Sequence, residues 1–241
     1  YLYRYTSNNY FALKIFATGH LHRLLELKEK IGPGNTIYCV EWMDQQTVLP
    51  ENLEMYDLLF DLNSDDDPSR MKTYTTLQKP VIVCAVKKSL HQLVQTVDKS
   101  INCHFVGMNA LPTFINRSKV EISFLNNADA ITFDKMAKKL DWEYLTVQDT
   151  VGMVTPRVIA MVINEACFTL YEETASMHDI DIAMKLGTNY PFGPFEWCDR
   201  IGVKDIYETL DAIAEDTGDL RYKICPLLKE KYLLQQPFYT P

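Results

Sequence analysis

Val81-Ile82-Val83-Cys84-Ala85-Val86 is six apolar residues in a row, followed at once by Lys87-Lys88. A strand with one face in water alternates apolar and polar residues, so an unbroken run of this length reads as a strand buried on both faces, as in a parallel sheet. Similar runs lie to either side, at residues 11–17, 36–40, 56–62, 105–108 and 120–125. Between them come amphipathic segments at helical spacing: Leu21, Leu24, Leu25 and Ile31, then Leu90, Leu93, Val94 and Val97, and later Phe133, Met136, Ala137 and Leu140. The alternation predicts a doubly wound α/β domain with a parallel sheet.

The pattern changes from Asp149 onward, where strand-like runs stop and helix punctuation takes over. Thr155-Pro156 reads as an N-cap and first-turn proline for a long apolar helix through Val158, Met161, Val162, Ala166 and Leu170. Ser176 and Asp179 read as a capping box ahead of a helix that Gly187 ends. Pro194, Gly202, Gly218 and Pro226 punctuate three further helical stretches. The chain is therefore expected to divide into an α/β domain over 1–148 and an all-helical domain over 149–241.

A chain of 241 residues with 47% hydrophobic and 23% charged residues, 9 Gly and 11 Pro has the balance of a globular protein. It is not a disordered, collagen-like or disulfide-scaffold sequence. Its net charge of -8 argues against a nucleic-acid partner, which demands a basic face. Apolar runs fall short of the ~20 residues that cross a bilayer, so no membrane partner is expected. Cys39, Cys84, Cys103, Cys167, Cys198 and Cys225 are too scattered for a zinc or redox motif. No metal site is expected, and free thiols suit a reducing compartment, the cytoplasm. The chain opens on Tyr1 rather than Met, and residues ahead of it are expected.

The segment Asp179-Ile180-Asp181-Ile182-Ala183-Met184-Lys185-Leu186, continuing through Gly187-Thr188-Asn189-Tyr190-Pro191-Phe192-Gly193-Pro194-Phe195-Glu196, resembles the C-terminal domain of 3-hydroxyacyl-CoA dehydrogenases. That family shows D-I-D-x-A-M-K-x-G followed by G-Y-P-x-G-P-F-E. Val106-Gly107-Met108 with Lys119-Val120-Glu121-Ile122 is similar to the family's I-G-M-H-F-F-N-P and K-L-V-E-I segments, and 147–152 adds a third match. The resemblance implies a Rossmann-like NAD-binding domain before the helical one. It also implies oxidation of the 3-hydroxyl of an acyl-CoA, hydride leaving C3 and a proton leaving the hydroxyl, and a homodimer built through the C-terminal helices. The apolar breadth of the helix through Val158, Ile159, Met161, Val162, Ile163, Ala166 and Phe168 points to the same dimer.

The resemblance also implies a catalytic His with a Glu behind it and polar partners around the substrate, and this sequence departs from that set. The His position falls at Asn109, which cannot take a proton near neutral pH, while the Glu survives as Glu121. Polar positions of the family fall at Lys88, Pro112 and Pro156. His104 stands too far along an extended strand to replace the base and reads as a structural residue.

A dinucleotide-binding turn needs G-x-G-x-x-G so that the backbone can approach the pyrophosphate. Here Ala17, Gly19 and His22 stand in the three places, and Glu41 is in line for the ribose-binding acid. The run Asp61-Leu62-Asn63-Ser64-Asp65-Asp66-Asp67 reads as a solvated loop. NAD binding is thus expected to be weak or lost. The leading expectation is a family member that is catalytically impaired. The alternatives are an active NAD-dependent oxidoreductase on a 3-hydroxyacyl-CoA or another hydroxy acid, and a non-catalytic acyl-CoA-binding or assembly module.

Overall fold

The computed structural model describes residues 12–43, 47–98 and 100–239. Seven strands, β1 (Lys14–Gly19), β2 (Thr36–Glu41), β3 (Leu58–Asp61), β4 (Pro80–Cys84), β5 (His104–Met108), β6 (Lys119–Phe124) and β7 (Glu143–Thr146), form one sheet in the order β2-β1-β3-β4-β5-β6-β7. The helices are α1 (Leu21–Ile31), α2 (Met71–Tyr74), α3 (Leu90–Gln95), α4 (Asn127–Leu140), α5 (Thr155–Tyr171), α6 (Met177–Thr188), α7 (Pro194–Ile201), α8 (Val203–Thr217) and α9 (Pro226–Leu234). The expected strands are present, the first of them displaced from 11–17 to β1; Phe11 lies outside the described residues. Among the described residues no strand follows Thr146.

Central strands are buried as their apolar runs require: every residue of β3 and β4 is inaccessible. The expectation of an all-parallel sheet fails at β5 and β6, which pair antiparallel. The connection 109–118 is too short to hold the crossover helix that a parallel partner needs. Strand β7, which no apolar run announces, is an edge strand with mostly exposed side chains.

Other sequence expectations change for identifiable reasons. On α1 the buried face is Arg23, Leu24, Leu27 and Ile31, while Leu21 and Leu25 lie outward. Thr155 does not cap α5 but is its first residue; the carboxylate of Glu121 accepts from the Thr155 amide at 2.9 Å and from the Thr155 hydroxyl. Gly187 lies inside α6, and the helix ends at Asn189 in the left-handed region (φ 56°). Cys39 is exposed, whereas the other five thiols are buried, and all six are unpaired.

The helices after Thr155 pack through α5, which contacts α6, α7, α8 and α9. Phe195, Trp197 and Ile163 join the same apolar core as Ile82, Val106 and Phe133 beneath the sheet, so the strand and helical parts share one interior. The α6–α7 corner is fixed by Asp181. Its carboxylate accepts from the amides of Phe195 (2.8 Å) and Glu196 (3.1 Å), the donors a helix leaves unpaired at its start. Gly193 stands against this carboxylate so closely that a Cβ there would lie 2.2 Å from Asp181 Cγ.

Candidate active site

Asn109 follows β5 and Glu121 sits on β6, and the antiparallel pairing brings them together: the Asn109 amide donates to the Glu121 carbonyl at 3.1 Å. Both line a cavity of about 300 Å³ with Phe114, Arg117, Ser118, Lys119, Leu145, Thr155 and Trp197. The Asn109 side chain is 1% exposed; its Oδ1 accepts from the Leu111 amide at 3.3 Å, and its Nδ2 has no partner. An unsatisfied buried donor of this kind costs about 1–3 kcal/mol unless something accepts from it.

Glu121 has other work than orienting a base. Its Oε1 takes the amide and hydroxyl of Thr155 and its Oε2 the amide of Val154 at 3.4 Å, so the carboxylate caps α5 and ties β6 to the helical part. The remaining expected site positions do not converge on Asn109. Lys88 is exposed, and Asp149 rather than a ligand occupies the start of α3, accepting from the amides of Leu90 (2.7 Å) and His91 (2.8 Å). Pro112 is buried in the 109–118 connection and Pro156 in the first turn of α5, and neither can donate from its nitrogen. His104 pairs with Asp129 at 2.9 Å at the far end of β5, as a structural residue.

In a doubly wound sheet, ligands lie in the crevice beyond the carboxyl ends of the strands where the order reverses, here between β1 and β3. The residues at that crevice correct the sequence reading of the glycine turn. Ala17 is wholly buried inside β1 and takes no part in the turn. Gly19 ends the strand, and a Cβ on it would come 2.8 Å from Leu62 Cβ, so the glycine accommodates the chain after β3. The Asn63 side chain accepts from the His20 amide at 2.9 Å, covering the entrance to α1. His22 and Glu41 are exposed and without polar contacts among the described residues.

The solvated-loop reading of 61–67 is likewise overturned. Asp61, Asn63, Ser64 and Asp65 are buried, because cations and amides converge on them. Asp61 pairs with Arg70 at 3.1 Å and accepts from the Tyr74 hydroxyl at 2.6 Å. Asp65 Oδ2 accepts from the amides of Val86 (3.2 Å) and Lys87 (2.9 Å). Lys87 Nζ stands 2.6 Å from Asp66, 2.8 Å from Asp205 and 2.5 Å from Glu208, the last two on α8. Arg23, buried beneath the start of α1, donates to the Leu62 carbonyl and pairs with Asp205 at 2.8 Å.

Burial alone would raise the pKa of Asp205, but the Arg23 and Lys87 charges outweigh it and hold the carboxyl well below its ordinary range. Burial and the neighbouring Asp66 charge push Asp65 upward. Asp66, Asp205 and Glu208 approach one another closely enough to hold a cation, and the Lys87 ammonium is that cation. Sequence reasoning missed Arg23, Asp65, Asp66, Lys87, Asp205 and Glu208 as a unit.

The turn at this crevice carries one glycine, Gly19; the Asn63 side chain covers the first amide ahead of α1, and the ion cluster lies beside it.

The model of the 3-hydroxyacyl-CoA dehydrogenase C-terminal domain matches residues 152–237. Residues 152–237 thus carry the C-terminal domain of that dehydrogenase family. The chain is similar to the 3-hydroxyadipyl-CoA dehydrogenase of Escherichia coli, with 40% identity over 94 residues, 39% of this chain and 20% of that protein. It is also similar to a probable 3-hydroxybutyryl-CoA dehydrogenase of Bacillus subtilis, with 26% identity over 189 residues, 75% of this chain and 65% of that protein. The chain spans less than two thirds of the length of these dehydrogenases. The crystal structure of the (S)-3-hydroxybutyryl-CoA dehydrogenase from Ralstonia eutropha superposes with a TM-score of 0.69 at 19% identity, covering 93% of this chain and 95% of that one, which establishes the shared fold.

Proposed function

We propose that this member of the 3-hydroxyacyl-CoA dehydrogenase family binds an acyl-CoA ester without oxidising it, and that NAD binding is weak or lost. The observation that carries the reading is the pairing of Asn109 with a committed Glu121. The residue at the base position cannot accept a proton, and the carboxylate that would orient a base is engaged by Val154 and Thr155. Removal of a positioned base costs about 10²–10⁴ in rate. The filled strand-end crevice supports the same conclusion from the cofactor's side. An acyl group has a place to go, because the cavity beside Asn109 is walled by Trp197 and Phe114 and offers an unused amide donor.

The reading includes a division of labour between residues 1–148 and 149–241 and a homodimer formed through the helical part. Supporting the dimer, Val158 on α5 and Ile182 and Leu186 on α6 are exposed, and an apolar groove of about 460 Å³ runs between these helices, lined by Val162, Ala166, Ile180 and Met184. Light scattering at micromolar concentration should give twice the 27.9 kDa chain mass. Unpaired thiols favour the cytoplasm, and among the described residues no helix is long and apolar enough to cross a membrane.

Two titrations test the reading: acetoacetyl-CoA binding by calorimetry, and NADH oxidation with acetoacetyl-CoA followed spectroscopically. Binding with no turnover is the expected result. Robust NADH oxidation would favour the rival, an active NAD-dependent oxidoreductase, for which the names of the relatives speak.

A further inference from the structure

The cavity beside Asn109 has an uneven chemistry. Its acceptors are engaged: Glu121 by Val154 and Thr155, and Asn109 Oδ1 by Leu111. Its donors are not. Asn109 Nδ2 is buried and unpartnered. Arg117 donates from Nε to the Thr113 carbonyl at 2.7 Å, which leaves both terminal guanidinium nitrogens without a partner among the described residues. The guanidinium plane is held over Phe114 (5.7 Å) and Trp197 (5.9 Å), and the Trp197 indole is fixed in turn by donation to Thr113 Oγ1 at 2.9 Å. Arg117 thus stands pre-oriented at the wall of a small apolar chamber, without the carboxylate that half-buried arginines ordinarily find.

We propose that the cavity takes a short acyl chain ending in a carboxylate. The distal carboxylate pairs with Arg117, the acyl carbonyl accepts from Asn109 Nδ2, and the methylenes lie along Trp197 and Phe114. A volume of about 300 Å³ sits at the small end of ligand sites, which run to about 1,000 Å³, and so favours a short chain. The proposal rests on the acyl-CoA reading above for the thioester but not for the carboxylate, and the test separates the two.

Wild-type protein is titrated calorimetrically with glutaryl-CoA and pentanoyl-CoA, which match in chain length and differ in the terminal group, and with free glutarate and pentanoate. Glutaryl-CoA is expected to bind about 10- to 100-fold tighter than pentanoyl-CoA, the range of a charge-assisted pair. Arg117→Met should abolish that difference by bringing glutaryl-CoA down to the affinity of pentanoyl-CoA, and Arg117→Lys should restore part of it. Equal affinity for the two esters overturns the proposal and leaves the acyl-CoA reading standing. Loss of both esters in Arg117→Met also overturns it, since Arg117 would then contact the CoA moiety. Arg117-dependent binding of free glutarate with no affinity for either ester supports the carboxylate site and overturns the thioester. No binding of any of the four overturns both.

Discussion

Arg23 on α1 and Asp205 on α8 are 182 positions apart in the chain and pair at 2.8 Å in a buried contact. Around them Lys87 joins Asp66, Asp205 and Glu208, so that the ends of β1, β3 and β4 are bound to the helical part by charge as well as by apolar contact. A buried cluster of this kind is costly to assemble and more costly to break. Its effect is to fix how α8 sits against the strand ends, in the region where a nucleotide-binding sheet would be open.

Asp205→Asn is expected to destabilise the protein by about 3–5 kcal/mol, because Arg23 and Lys87 are left buried with too little negative charge. Arg23→Leu made in the Asp205→Asn background should add less than it does alone, since the two residues belong to one network. Urea midpoints of the two single variants and the double variant measure this.

Stability should also fall steeply at acid pH, and the sign follows from the same cluster. A carboxyl held below its ordinary pKa contributes stability above that ordinary value, 3.8, and loses it as pH drops toward the depressed one; Asp205 and Asp66 are both of this kind. Asp65 runs the other way, its raised pKa easing the charge as pH falls. Below about pH 4 the wild type should therefore lose stability with a larger slope than Asp205→Asn, as read by thermal melts across pH. Equal slopes would show that Asp205 is not the linked group.

The α/β pattern was readable in advance because buried strands need unbroken apolar runs, and Val81 to Val86 supplied one at the sheet centre. The segment Asp181 to Glu196 was readable as a motif, and its physical basis is a carboxylate capping α7 with a glycine beneath it. The ion cluster was not readable. Asp61 to Asp67 has the composition of a wet loop, and nothing local reveals that Arg23 and Lys87 will be brought to it from elsewhere. Nor could spacing show that Glu121 would be taken up by Thr155, a contact made across 34 positions.

Gly193→Ala should be strongly destabilising although its φ of -69° suits any residue. The added methyl would meet Asp181 Cγ at 2.2 Å and force the carboxylate off the amides of Phe195 and Glu196. Overpacking of this kind costs about 1–3 kcal/mol, and the lost cap adds about 1. Asp181→Ala in the same protein removes the clash, so the double variant should be no less stable than Gly193→Ala alone in chemical denaturation.

Asn109→His places an imidazole at the family's base position and should still leave NADH oxidation with acetoacetyl-CoA near background. A general base needs a group that fixes its tautomer and direction, and Glu121 can serve only by releasing the Thr155 and Val154 amides, which uncaps α5. Uncapping costs about 0.5–2 kcal/mol, so the new histidine competes with the helix for the carboxylate. The dinucleotide crevice is untouched by the change, with Asn63 still over the His20 amide and Lys87 still bound to α8. Removals that act as a unit are not repaired one at a time. The decisive comparison is the initial rate of wild type, Asn109→His and Asn109→His with Asn63→Gly, which uncovers the entrance to α1. A large rescue by Asn109→His alone would show that the cofactor still binds and that Glu121 is free to turn. A rise only in the double variant would place the block at the nucleotide crevice.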